Sequence, residues 1–129
     1  SGLDPIMRDE MLDVFLDFVQ DERHSILLSS HITSDLEKIA DYITFIHDGR
    51  LIFSALKDEL RYNYAVMRCS ENQFQALNQE DMMAYLKRDY QVDVLLSDGK
   101  AAQRKYKDAV IDHVSIEEIM LLLIKGERI

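Results

Sequence analysis

The chain has 129 residues, 47% of them hydrophobic, a formal net charge of -9 and a single cysteine. That is the size of one domain or two very small ones, with enough apolar content for a packed core. No run approaches the roughly 18 consecutive apolar residues that span a bilayer, and the acidic balance argues against a general nucleic-acid surface, which needs Lys and Arg gathered on one face. Cys69 has no second thiol for an internal disulfide or a metal, which points to a reducing, cytosolic compartment and to a small apolar residue on a strand. The acid is concentrated early, with roughly 13 acidic and 5 basic residues before position 61 and near balance afterwards. Such a shift suggests two units.

Asp4-Pro5 reads as an N-cap followed by proline at the first helical position, where its missing N-H costs nothing. Met7, Met11, Phe15 and Phe18, with Leu12 and Val19, recur at helical spacing and should bury one face. Asp9, Asp13, Asp17 and Asp21 recur every four residues, so that face should be solvated or opposed by a basic partner. Ile26 to Leu28 is short and continuously apolar, as in a strand of a parallel sheet covered on both faces. It ends in Ser29, Ser30 and His31, and the carboxyl end of such a strand is where open α/β sheets place their ligands. Ser34 with Glu37 reads as a capping box opening a short helix.

"YITFIHDGRLIFS" gives two strands about Asp48-Gly49, a dipeptide suited to the positive φ angles of a tight hairpin. Leu56 to Tyr62 reads as a short helix. Beyond it, "YAVMRCS" reads as a strand, and residues 72 to 88 as largely helical through Phe74, Leu77, Met82, Tyr85 and Leu86, with a possible break at Asn78 to Asp81. "VDVLLS" is a strand, Ser97-Asp98-Gly99 reads either as a second hairpin turn or as the cap of a short helix running to Tyr106, with the helix formers Ala101 to Lys105 favouring the helix, and "AVIDHV" is a further strand. Ser115 with Glu118 forms a second capping box, opening a helix that ends by Gly126.

The order of "SGLDP", amphipathic helix, apolar run, "SSH", capped helix and "FIHDGRLIFS" hairpin resembles the C-terminal part of an ABC transporter ATP-binding subunit. The resemblance implies an α/β fold: a partial P-loop NTPase sheet over residues 1–58, followed by a small α/β accessory domain over 59–129. It further implies that Ser1, Gly2, Leu3 and Asp4 are the D-loop, which meets a partner subunit's nucleotide site across a dimer, and that His31 is the switch histidine of the H-loop. Residues 59–129, ending in "SIEEIM" close to "KGE", resemble the accessory tail of a group of bacterial exporter subunits. ATP and Mg2+ would be used by the intact parent, with a second ATP-binding subunit and transmembrane permease subunits as partners and a place at the inner face of the cell membrane. Ala55 stands where many members have glycine.

Independently of resemblance, phosphoryl transfer asks for positioning more than covalent chemistry, and a histidine can donate from one ring nitrogen while the other is fixed. An ordinary loop histidine is the plainer reading of His31, and a plain helix cap the plainer reading of Asp4. The chain contains no G-x-x-x-x-G-K-[ST] loop, no "LSGGQ"-like signature and no Asp-Glu pair closing an earlier apolar strand, so no lysine and no nest of N-H groups hold the β- and γ-phosphates. The fragment is therefore expected neither to hydrolyse ATP nor to bind it tightly, to be the C-terminal remainder of a longer parent, and to self-associate through apolar surface left bare. His24, His47 and His113 lie apart and imply no metal. Two other classes compete: a stand-alone regulatory or dimerisation module without nucleotide chemistry, and a hydrolase using Ser30 and His31, which is weakened because adjacent residues of an extended chain point to opposite faces.

Overall fold

The computed structural model describes residues 4–128. By its contacts the chain divides into Ser1–Asp41 and Tyr42–Ile129, so the hairpin that the family resemblance groups with the first 58 residues is counted with the second unit. The molecule is mixed α/β, and both of its sheets are antiparallel.

In the first unit, helix α1 spans Pro5–Phe18 and helix α2 spans Thr33–Ile39. α1 starts where the sequence places it, with Asp4 as N-cap and proline in the first turn. The two helices pack together, and the side-chain pairs between them, Arg8 with Asp35 and then Asp13 with Lys38, advance in the same sense along both. They are therefore parallel, with their leading turns side by side. Parallel helices require a return segment, and residues 24–30 supply it without forming a hydrogen-bonded strand. The strand expected at Ile26 to Leu28 is thus absent, because no other described segment lies alongside to complete its backbone hydrogen bonds. An alternation survives: Leu27 is fully exposed, whereas Ile26 and Leu28 are 37% and 36% exposed, the pattern of an extended chain with one face turned towards a neighbour. Ile26 lines an open apolar groove with Val14, Phe15 and Phe18. The apolar face of α1 is only partly covered: Leu12 is buried, while Met7, Met11 and Phe18 remain exposed.

The second unit opens with the hairpin of β1, Tyr42–His47, and β2, Arg50–Leu56. Asp48 and Gly49 both take positive φ, 49° and 73°, so the turn has the twist that antiparallel strands prefer. Helix α3, Lys57–Tyr62, follows. Then come β3, Ala65–Cys69; α4, Glu71–Gln75; a single 3-10 turn, Gln79–Asp81; β4, Ala84–Lys87; β5, Val92–Leu96; α5, Gly99–Lys105; β6, Val110–His113; α6, Ile116–Lys125; and β7, Glu127–Arg128. The sheet order is β6-β3-β5-β4-β7. Stripped of α6 and β7, this is a β-α-β-β-α-β unit in which the first strand lies between the third and the fourth, the split β-α-β arrangement of ferredoxin-like domains.

One face of this sheet carries α4 and α5, burying Met67, Cys69, Val92, Val94, Leu96 and Ala102 together with Phe74 and Tyr106. α6 packs against β4 and β5, and by strand alternation it covers the other face, with Ile116, Ile119, Leu122 and Leu123 buried. The helix read over residues 72 to 88 is corrected: it stops at Gln75, and Tyr85 and Leu86 belong to a strand registered against Val94 and Asp93. Long-range pairing with β5 overrides the helical spacing of those residues. Burial and the nearby Asp93 carboxylate push the Cys69 thiol up to about 11, which makes it an inert core residue.

Candidate functional site

Asp4 is exposed and extended, and its Oδ1 accepts a hydrogen bond from the Met7 amide at 2.9 Å. The cap uses this one oxygen. Ser1, Gly2 and Leu3, the rest of the expected D-loop, lie outside the described residues.

His31 is exposed in the turn that leads into α2. The backbone around it is set by its neighbour, since Ser30 Oγ accepts a hydrogen bond from the Ile32 amide at 3.0 Å. This turn starts the helix at Thr33, with Ile32 as an N-cap that offers no side-chain hydrogen bond. Ser34 therefore sits inside the first turn, and the capping box read from Ser34 and Glu37 is not formed. A hydroxyl engaged by the next-but-one amide is also a poor start for a Ser30 nucleophile, and among the described residues no hydrogen bond joins Ser30 to His31.

The leading turns of α1 and α2 are joined by charge. Arg8 Nε donates to Asp35 Oδ1 at 3.2 Å, and Asp35 is only 8% exposed. Lys38 Nζ lies 2.6 Å from Asp9 and 3.0 Å from Asp13, which raises its pKa, chiefly through the hydrogen bond to Asp9. Lys38 thus opposes two of the four aspartates of the repeating stripe and Arg23 holds a third, Asp21, at 2.7 Å, all from within the unit. Sequence reading missed Arg8 and Asp35 as a pair, and no local signal marks two residues 27 positions apart.

The other histidines lie apart from one another. The His24 ring stacks on Phe18 at 4.3 Å with its Nδ1 3.1 Å from the Phe18 carbonyl, His47 lies 3.4 Å from Asp48, and His113 is on β6. Among the described residues no three His, Cys, Asp or Glu side chains gather as a metal site, and none of the helices is long and apolar enough to cross a membrane.

The second unit holds a denser charged cluster. Arg68 on β3 faces Asp93 on β5 in direct register, lies 3.3 Å from it, and reaches Asp112 at 3.3 Å. Asp93 is 1% exposed. Arg88 and Gln91 each donate to it at 2.7 Å. Burial opposes its ionisation, but the Arg88 hydrogen bond and the Arg68 charge outweigh that and hold its carboxyl below the ordinary range. Each member is paired within the cluster, the arrangement of a structural lock.

No family model matches the chain. Part of it is similar to several ABC transporter ATP-binding proteins. It is 42% identical over 52 residues to the lantibiotic transport ATP-binding protein SrtF of Streptococcus pyogenes, covering 40% of this chain and 22% of that protein. It is 34% identical over 61 residues to the bacitracin transport ATP-binding protein BcrA of Bacillus licheniformis, covering 47% and 20%, and 35% identical over 60 residues to the thiamine import ATP-binding protein ThiQ of Salmonella typhimurium, covering 46% and 26%. The matched segment spans about a fifth to a quarter of these relatives, and on it the chain is similar to the ATP-binding proteins of ABC transporters.

Proposed function

We propose that this chain is the C-terminal part of the ATP-binding, ATP-hydrolysing subunit of an ABC transporter, in which residues 1–58 close the ATPase core and residues 59–129 form an accessory domain. The observation that carries the reading is geometric: the Asp4-capped start of α1 and the turn bearing an exposed His31 lie at the same end of one pair of parallel helices. In a dimer of such subunits the switch histidine faces its own nucleotide and the D-loop the partner's, and the two sites adjoin at the dimer interface, so both belong at one end of these helices. The partial similarity to transport ATP-binding proteins points the same way.

In this reading His31 donates an imidazole N-H towards the terminal phosphate, and the loop ending at Asp4 faces the nucleotide site of a second ATP-binding subunit. The residues present do not themselves fit a triphosphate with Mg2+, because the chain has no phosphate loop and the described residues gather no metal ligands. Those groups belong to parts of the subunit beyond this sequence, and the chain alone turns over no ATP. Permease subunits in the membrane are the remaining partners, and they place the protein at the inner membrane face. We assign export as the direction; this rests on the resemblance of the 59–129 tail, since the core segment is shared with a thiamine import protein. A second reading, a stand-alone regulatory or dimerisation module, draws on the separate core of the split β-α-β unit.

The test is His31→Ala in the ATP-binding subunit that carries this sequence. ATP turnover should fall by about a hundredfold or more, with ATP binding and the melting temperature retained. Turnover at the parental rate would overturn the assignment.

A further inference from the structure

We propose that Arg8 and Asp35 are a positioning pair for His31, tying the turn that bears the histidine to the capped end of α1. The proposal rests on the reading of His31 given above and names residues on which its geometry depends. Two charged side chains are buried among the described residues, Asp35 and Asp93. Burying a carboxylate is costly unless it is paired. Asp93 belongs to the lock inside the sheet domain; Asp35 is buried in a small two-helix unit, and among the described residues its salt-bridge partner is Arg8, at 3.2 Å.

The placement of the pair matters as much as its burial. Asp35 is the third residue of α2 and lies four positions after His31, while Arg8 lies four positions after Asp4. α2 has no side-chain N-cap of its own, so its sequence does not by itself fix where the helix begins. The Ser30 hydroxyl sets the turn locally, and the Arg8-Asp35 bond sets it against α1. The Lys38 contacts to Asp9 and Asp13 lie further along the helices and are more exposed, so salt screens them more. The partly buried pair at the leading turns is the one that holds the imidazole at a fixed distance from the Asp4 end.

The experiment compares Arg8→Gln, Arg8→Lys, Asp35→Asn and the reciprocal exchange Arg8→Asp with Asp35→Arg in the ATP-binding subunit carrying this sequence, with His31→Ala alongside. Removing the pair should lower kcat about tenfold, as expected when a contributing group is displaced rather than deleted, with KM for ATP held within about twofold, and the exchange should recover most of the loss. In the 129-residue chain itself, amide hydrogen exchange at Ile32 to Leu36 should quicken in Arg8→Lys, a variant that keeps the charge and loses the planar fork. Unchanged kcat in the pair variants while His31→Ala abolishes turnover would overturn the positioning role and leave the site assignment standing. If His31→Ala is silent, the site assignment fails and the positioning role with it. A loss of kcat matched by loss of ATP binding and of melting temperature, with no recovery on exchange, marks a purely structural pair and also overturns the proposal.

Discussion

Arg68 and Glu118, 50 residues apart, meet through two parallel hydrogen bonds, Nη1 to Oε2 at 2.9 Å and Nη2 to Oε1 at 3.2 Å. A planar fork matched to a carboxylate is the strongest arrangement open to these groups, and it raises the pKa of the guanidinium. Glu118→Gln keeps the shape and removes the charge, and it should cost about 1.5 to 3 kcal/mol, the range for hydrogen bonds to charged groups. Arg68→Met should cost more, because it leaves Asp93 buried with only Arg88 as counter-charge. Urea unfolding of the two single variants and the double variant checks this, and a coupling energy near zero would contradict the contact.

Asp93 gives the fold a defined acid limit. Its folded pKa lies below the unfolded value because Arg88 and Arg68 more than offset burial, so its stabilising contribution is present above the unfolded pKa of about 3.9 and is lost as pH falls through the folded value. Stability should therefore decline steeply below about pH 4. Asp93→Asn should flatten that decline while lowering stability at neutral pH by about 3 to 5 kcal/mol, the cost of breaking a buried pair. Chemical denaturation at a series of pH values reads both effects.

Gly126 and Gly49 should lose unequal amounts of stability on gaining a methyl group. A Cβ on Gly126 would stand 2.4 Å from the Leu122 carbonyl oxygen and 2.6 Å from that of Tyr85, both backbone atoms, whereas one on Gly49 would meet nothing within 4 Å. Gly126→Ala must shift either the end of α6 or β4 and should cost about 1 to 3 kcal/mol. Gly49→Ala carries only the strain of a positive φ, about 1 kcal/mol. Thermal melts of both variants rank them, and a larger loss at Gly49 would contradict the close approach at Gly126.

The bare side of the return segment should drive association of the isolated chain. Leu27 is fully exposed, and Ile6, Val14 and Phe18 on α1 are exposed as well. Burying one such side chain is worth about 1.5 to 3 kcal/mol. Size-exclusion chromatography with light scattering should show concentration-dependent self-association that Leu27→Asp weakens. A clean monomer at high concentration would count against it.

The sequence was most legible where a local device closes on itself. Asp48-Gly49, the Asp4-Pro5 start, the Asp98 cap and the Ser115 cap all sit where their chemistry places them. It misled where pairing partners decide. Phe74, Leu77, Met82 and Tyr85 mimic a helical stripe, yet β4 is a strand because β5 offers it a ladder. Ile26 to Leu28 has the composition of a strand and no ladder among the described residues. Among the described residues Ser70 with Gln73 makes a complete capping box, and its S-x-x-Q spacing is legible in the sequence. The Arg68 cluster also left a trace, since Arg68 and Asp93 interrupt otherwise apolar strands, but only the register shows that they face each other. At the candidate site, Asp4 and His31 could be picked from the sequence, whereas the buried bridge between their helices is purely tertiary.

Glu118 occupies the third position of α6, where a glutamate ordinarily reaches back to complete its own helix start; here Ser115 still accepts from the Glu118 amide at 3.0 Å, but the carboxylate has gone to Arg68 instead. The closing helix has exchanged a private fastening for a shared one. Fraying of its first turn would strip a counter-ion from β3, so the two should melt as a single cooperative block, and α6 should be shielded from proteolysis until the whole sheet opens.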